Sequence, residues 1–361
     1  MIDPFPFPPN PALGEAVRPL AARLGLHSFP MHVHELLMAT LFYTFVQLVV
    51  SPVLSRALMP HIYNASMSRL RRANWDAHVV SLVQSVLICI LALWSIAVDD
   101  ERRAMSGEPT TDPATALPLA AGWRGRVYGY SGGASLVQSM AAGYFLWDLA
   151  LTLVYFDIFG FGMLAHAVSA LAVYSLGFRP FLNYYAPNFI LYELSTPFLN
   201  AHWFFDKLDM TGSRAQLYNG VALIVTFFGC RLVYGNYMST WVYSDMWHAM
   251  WDGPGEFAIA GSSPDPIPAW LIVVYVASNL TLNSLNIVWF FKMIAAVRKR
   301  FVPSAHKDAA DDKSAKTDDK STTDDSTAAI ASALDDASPV ARLRAVGERL
   351  MMVEDDFTEI P

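Results

Sequence analysis

Charge is what this sequence is shortest of. Only 16% of its 361 residues are Asp, Glu, Lys or Arg, while 54% are hydrophobic. A soluble domain carries about 25% charged residues, so the deficit excludes an ordinary soluble globule and points to a polytopic membrane protein. Mean hydropathy is +0.31. The net charge of −7 misleads, because much of the acid lies in the last sixty residues. Cysteine is scarce too. Cys89 and Cys230 both lie in apolar runs, where they read as small packing residues. No basic face marks a nucleic-acid partner. The start, MIDPFPFPPNPALGEA, has no apolar h-region, so insertion is expected to rely on the first transmembrane helix. Soluble-enzyme signatures are missing: there is no GxSxG, no P-loop, no dinucleotide fingerprint and no HExxH. The nearest approach to a metal pair is His32-Val33-His34-Glu35. Its i, i+2 spacing puts the imidazoles on different helix faces, and no metal is expected.

What the chain does have is apolar length. A helix needs about 20 apolar residues to cross a bilayer. Seven runs meet or approach that: Glu35–Leu54, Ala77–Val98, Ala134–Tyr155, Phe159–Gly177, Pro187–Phe205, Gln216–Tyr237 and Ala269–Phe291. Residues 1–33 read as a surface segment and 34–56 as the first span. Met238–Pro268 reads as a long loop with Trp241, Trp247 and Trp251 at headgroup level. Residues 302–361 are an acidic, low-complexity tail expected to be disordered. The positive-inside rule places Arg56, Arg69, Arg71, Arg72, Lys207, Arg214, Lys292, Arg298, Lys299 and Arg300 on one side, the cytosol. The N-terminus is then lumenal and the C-terminus cytosolic. Arg102, Arg103, Arg124 and Arg126 dissent.

Between Gly143 and Phe205 three ionisable residues, Asp148, His166 and Glu193, interrupt apolar runs. Each costs about 2.5–3.5 kcal/mol on insertion scales, so each needs a partner or a use. Asp148 and His166 lie at similar depth on either side of the turn near Phe156–Gly160, roughly 9–12 Å from it at 1.5 Å per residue, and a pair is expected. The same count pairs Glu193 with Arg231 across the loop Asp206–Arg214, roughly 18–25 Å in. Such pairs have two readings, architectural or catalytic. Ser195, Asn200 and Asn286 read as interhelical hydrogen-bonding groups. Trp75, Trp94, Trp203 and Trp289 read as interface anchors.

Several strings together carry a resemblance. They are Asn74-Trp75 with Val79-Val80-Ser81, Gly143-Tyr144-Phe145-Leu146-Trp147-Asp148, and the lone His166. ELSTPFLN (Glu193 to Asn200) with Trp203-Phe204 is the most specific. Arg231 and Asn286-x-x-Trp289-Phe290-x-Lys292-Met293 complete the set. The sequence resembles the TLC-domain proteins, the group shared by TRAM, ceramide synthases and the Batten-disease ER protein, and is most similar to their TLC-domain-containing branch. The resemblance covers about 75–294. It implies an all-α fold: six transmembrane helices in a barrel-like bundle around a cavity for an acyl chain, preceded by one N-terminal transmembrane helix, in the endoplasmic reticulum. Ceramide synthases carry two adjacent histidines, where this chain has Ala165-His166-Ala167; many relatives have a His where Gln84 stands. The first expectation is therefore a membrane-lipid (sphingolipid or fatty-acyl) homeostasis protein that binds acyl lipid. Its polar core would be Glu193, Ser195, Asn200, Arg231 and Asn286, with no cofactor. The alternative is an N-acyltransferase with His166 as base and Asp148 as orienter, acting on acyl-CoA and a sphingoid base. A third reading is a trafficking adaptor using the tail.

Overall fold

The computed structural model describes residues 5–108, 120–179, 181–253 and 267–301. The tail expected to be disordered lies outside them, as do parts of two loops. The chain divides into two compact units, residues 1–290 and 291–360. The described part of the second unit is the end of the last helix, and all that follows concerns the first.

Among the described residues there is no strand; the elements are helices. The helix α1 (Pro11–Leu24) is a short surface helix whose N-terminal amides are capped by Asn10. Six longer helices are apolar enough to cross a membrane. They are α2 (Phe29–Leu58), α3 (Arg69–Val98), α6 (Gly132–Val154), α7 (Phe156–Leu176), α10 (Arg214–Trp251) and α11 (Ala269–Phe301). Between them lie α4 (Asp100–Met105), α5 (Gly122–Tyr128), α8 (Ala186–Ile190) and α9 (Thr196–Lys207). The chain is thus a multi-pass, all-α membrane protein. Its outer faces are greasy where lipid would be: Leu217, Val221, Val225 and Phe228 on α10 recur at helical spacing and are exposed.

Two stretches differ from the sequence reading. Pro187–Phe205 is not one helix. It is α8, a 3₁₀ stretch Leu191–Ser195, then α9. Pro187 and Pro197 sit at the starts of α8 and α9, where a missing amide hydrogen costs nothing. Leu182 enters the segment with a φ of 58°, a left-handed residue before the first 3₁₀ turn at Asn183–Tyr185. The expected loop Met238–Pro268 is instead helical as far as Trp251. Its polar residues Ser239 and Asp245 face inward, whereas Trp241, Trp247 and Trp251 are exposed on the outside. Helical periodicity, not loop composition, governs this stretch.

A broken segment in a membrane protein must find partners for its backbone. Arginines supply several. Arg102 donates to the Tyr184 carbonyl at 3.0 Å and to Asn188 Oδ1 at 2.5 Å, with its guanidinium 4.2 Å from the Tyr184 ring centroid. Burial pulls its pKa below the usual arginine value, against the opposing influence of Tyr184. Arg126 forks onto Asp245 at 2.7 Å through Nε and Nη2, and its Nε also reaches the Tyr185 hydroxyl at 3.1 Å. The hydrogen bond to Asp245 holds the Arg126 pKa above the ordinary value. Arg231 serves the 3₁₀ stretch from the other side. Two of the four arginines that dissent from the loop-charge rule are therefore committed to internal bonds.

Candidate functional site

A cavity runs between α6, α7, the broken segment, α10 and α11. Its length follows from its walls. On α7 it is lined from His166 to Gly177 and on α11 from Tyr275 to Asn286. Eleven residues at 1.5 Å each make roughly 17 Å. Half of a ~30 Å hydrocarbon core is about 15 Å, so the slot has the length of one leaflet's acyl chain. Ala170, Val173, Ile190, Val242, Met246 and Leu282 give it apolar walls.

One end is polar, and Arg231 organises it. This residue lies in a π-helical stretch of α10, Phe228–Tyr234; such bulges recur at functional sites. Its Nε donates to the Tyr192 carbonyl at 2.9 Å and to Ser195 Oγ at 3.1 Å. Nη1 donates to Asn286 Oδ1 and Nη2 to Thr196 Oγ1, both at 3.1 Å. The Glu193 carboxylate stands 4.0 Å from Nη2. Arg231, Glu193, Ser195 and Asn286 are all buried. The structure thus gathers three of the other four expected polar-core residues around the Arg231 guanidinium.

Asn200 belongs elsewhere. Its Oδ1 accepts from His78 Nδ1 at 2.8 Å and its amide donates to Ser81 Oγ at 3.0 Å. Because the Asn200 oxygen can only accept, His78 carries its proton on Nδ1 and is left with an acceptor at Nε2. That Nε2 has no partner. The ring stacks on Trp203 at 3.9 Å between centroids, and Trp203 meets Trp75 edge-on at 5.6 Å. Trp75 and Trp203 are thereby core residues with Tyr63, not interface anchors. Sequence reasoning missed His78, although the ionisable-group criterion that singled out His166 applies equally to it.

The expected Asp148–His166 pair does not form. No hydrogen bond joins them, and the His166 Nδ1 is buried without a partner. Its ring instead meets Phe145 at 5.9 Å and Trp289 at 5.7 Å. His166 does line the cavity, beside Glu193, Arg231 and Asn286; Asp148 does not. Within α7, Gly160 is non-helical, with φ 68° and ψ −175°. It breaks the helix between the turn and His166, and such a φ suits only glycine.

A separate polar knot ties α2 to the segment before α6. His32 Nδ1 meets Glu35 Oε1 at 2.8 Å and His32 Nε2 meets the Tyr130 hydroxyl at 2.5 Å. His34 lies 3.9 Å from the same carboxylate, but its Nε2 bonds the Phe7 carbonyl at 3.1 Å. Among the described residues no group of three or more His, Cys, Asp or Glu is placed to hold a metal ion.

Comparison with known proteins agrees with this architecture. The family model described as the TLC domain matches residues 74–295. An uncharacterized TLC domain-containing protein of Schizosaccharomyces pombe is 39% identical over 291 residues, 80% of this chain and 87% of that protein. The topoisomerase I damage affected protein 4 of Saccharomyces cerevisiae is 27% identical, over 76% of this chain and 87% of its own length. Human TLC domain-containing protein 4 is 27% identical, over 63% of this chain and 75% of its own. No solved structure matches.

Proposed function

Since the chain belongs to the TLC-domain family, we propose that it holds an acyl lipid in the cavity between α7, α10 and α11 and acts in membrane lipid homeostasis. One observation carries this reading. The slot is roughly 17 Å long by the 1.5 Å rise, apolar along its walls, and polar at the end where Arg231, Glu193 and Asn286 meet. An acyl chain fills such a shape, and its head group meets the polar end. The reading requires no metal and no cofactor. The proposed membrane is the endoplasmic reticulum, as the TLC resemblance implies; with the broken segment counted as a crossing, the Arg and Lys distribution among the short loops supports a lumenal N-terminus.

The test is direct. The protein is purified in detergent and its retained lipids are identified by mass spectrometry. Bound acyl lipid is expected from the natural chain. Val173→Trp, which puts an indole in the apolar middle of the slot, is expected to lose it. Absence of any retained acyl lipid from the natural chain rejects the reading.

Acyl transfer is the second reading, and one observation favours it: the unpartnered Nδ1 of His166 in the cavity region. His166 would take a proton from an amine attacking an acyl-CoA thioester and return it to the coenzyme A sulfur as the C–S bond breaks and the amide forms. Asp148 makes no hydrogen bond to it and so does not orient it. N-acylation that is unchanged in His166→Ala rejects this mechanism. The adaptor reading rests on residues 302–361, outside the described residues.

A further inference from the structure

The polar end of the cavity also carries information about the head group it takes. Arg231 already donates to Tyr192, Ser195, Asn286 and Thr196 and faces Glu193 at 4.0 Å. Its charge is therefore answered from within the protein. Two groups beside it are not. The Glu193 carboxylate accepts no hydrogen bond from the described residues and stands 4.0 Å from that guanidinium. The Asn286 side chain, 2% exposed, spends its oxygen on Arg231 and leaves its amide nitrogen without a partner. Both line the cavity, with the unpartnered Nδ1 of His166 close by.

Each class of head group meets these groups differently. A carboxylate or phosphate brings a second negative charge next to Glu193, while the one cation is engaged. An ammonium offers donors to Glu193 but no acceptor to Asn286, because an –NH₃⁺ group cannot accept. A hydroxyl or a carboxamide does both: it donates to the carboxylate and accepts from the amide.

We propose that Glu193 and Asn286 form a subsite for an uncharged head, a hydroxyl or carboxamide on a single acyl-length chain, and that Glu193 discriminates against acids. This rests on the cavity reading above. The subsite is small, buried and charge-balanced, so it selects by hydrogen-bond pattern rather than by net charge.

The experiment uses the full chain in detergent with four probes of one chain length: hexadecanol, hexadecanamide, hexadecanoic acid and hexadecylamine. Retention is read by native mass spectrometry. The alcohol and the amide are expected to bind about tenfold or more tightly than the acid, which forgoes the bond to the charged Glu193, and than the amine, which leaves the buried Asn286 amide unsatisfied. Glu193→Gln leaves Arg231 unanswered and is expected to raise acid binding about tenfold by the same reckoning. That is a gain, which a misfolded variant cannot mimic. Wild-type preference for the acid or the amine overturns the subsite and leaves the cavity reading standing. An acid-to-alcohol ratio unchanged in Glu193→Gln also overturns it. Failure of all four probes to bind the natural chain overturns both.

Discussion

Arg231 and Tyr192 are joined through the backbone: the guanidinium Nε donates to the Tyr192 carbonyl at 2.9 Å. A π-helical turn on α10 thereby satisfies a carbonyl of the 3₁₀ stretch. The contact is worth more than its own strength, because an unsatisfied buried carbonyl costs about 1–3 kcal/mol.

Removing the guanidinium should therefore be severe. Arg231→Met is expected to cost about 3–5 kcal/mol, since it leaves Glu193 buried without its cation. Arg231→Lys should recover little, because a point charge cannot serve acceptors spread over Tyr192, Ser195, Thr196 and Asn286. Adding Glu193→Gln to Arg231→Met should restore part of the loss. A double-mutant cycle on thermal unfolding in detergent measures the coupling; simple additivity of the two changes rejects it.

Gly235 is expected to be intolerant of any side chain. A Cβ there would lie 2.1 Å from Cε1 of Tyr192. Tyr192 is held by its carbonyl to Arg231 and by its hydroxyl to Asn283 at 3.1 Å, so it cannot step aside freely. Gly235→Ala should cost about 1–3 kcal/mol of overpacking. Tyr192→Ala in the same chain should relieve the clash, and a melting temperature for the double variant no higher than for Gly235→Ala alone rejects this account.

At the other end of the cavity, α5 is fastened to α10 by Arg126 and Asp245. Val127 and Tyr128 of α5 pack with Leu182, Tyr185 and Met246, three of the cavity's lining residues. Arg126→Leu strands a buried carboxylate and should cost about 3–5 kcal/mol. The loosening should be local: amide exchange should rise in Gly122–Tyr128 before it rises in α6. Equal acceleration throughout α6 argues against a local fastening.

The His78–Asn200 pair predicts a smaller, sharper effect. Asn200→Leu keeps the volume but strands His78 Nδ1 in a fully buried site, at a cost of about 1–3 kcal/mol. Adding His78→Phe keeps the stacking on Trp203 and removes the stranded group. The double variant should be the more stable of the two in the same unfolding measurement.

How much of this was legible in sequence depends on what residue counting measures. Counting from a turn gives depth and nothing about azimuth. For Glu193 and Arg231 depth was enough, since a long guanidinium side chain reaches across angular error. For Asp148 and His166 it was not. Phe145 faces His166, and three residues further along a helix at 3.6 per turn places Asp148 about 60° away. The same count finds the partner that was missed. His78 lies nine residues past Arg69 and Asn200 seven before Lys207, roughly 13 and 10 Å from neighbouring helix ends. The broken segment was legible only as two prolines. Its arginine partners, Arg102 and Arg126, looked like loop charges because nothing local marks a guanidinium that bonds 82 or 119 residues away.

The π-helical stretch Phe228–Tyr234 has a consequence for how this helix can change length. A π-turn holds one residue more than the α-turn it replaces. Deleting a single residue there lets the backbone relax to α with everything beyond it still facing as before, whereas deleting one from the α-helical turns that follow rotates everything beyond by about 100° about the helix axis. Val242, Tyr243 and Met246 would swing out of the cavity wall, and Asp245 would leave Arg126. The π-turn can give up its extra residue, but the number of residues between Tyr234 and Val242 is a quantity that the cavity and the α5 fastening hold in common.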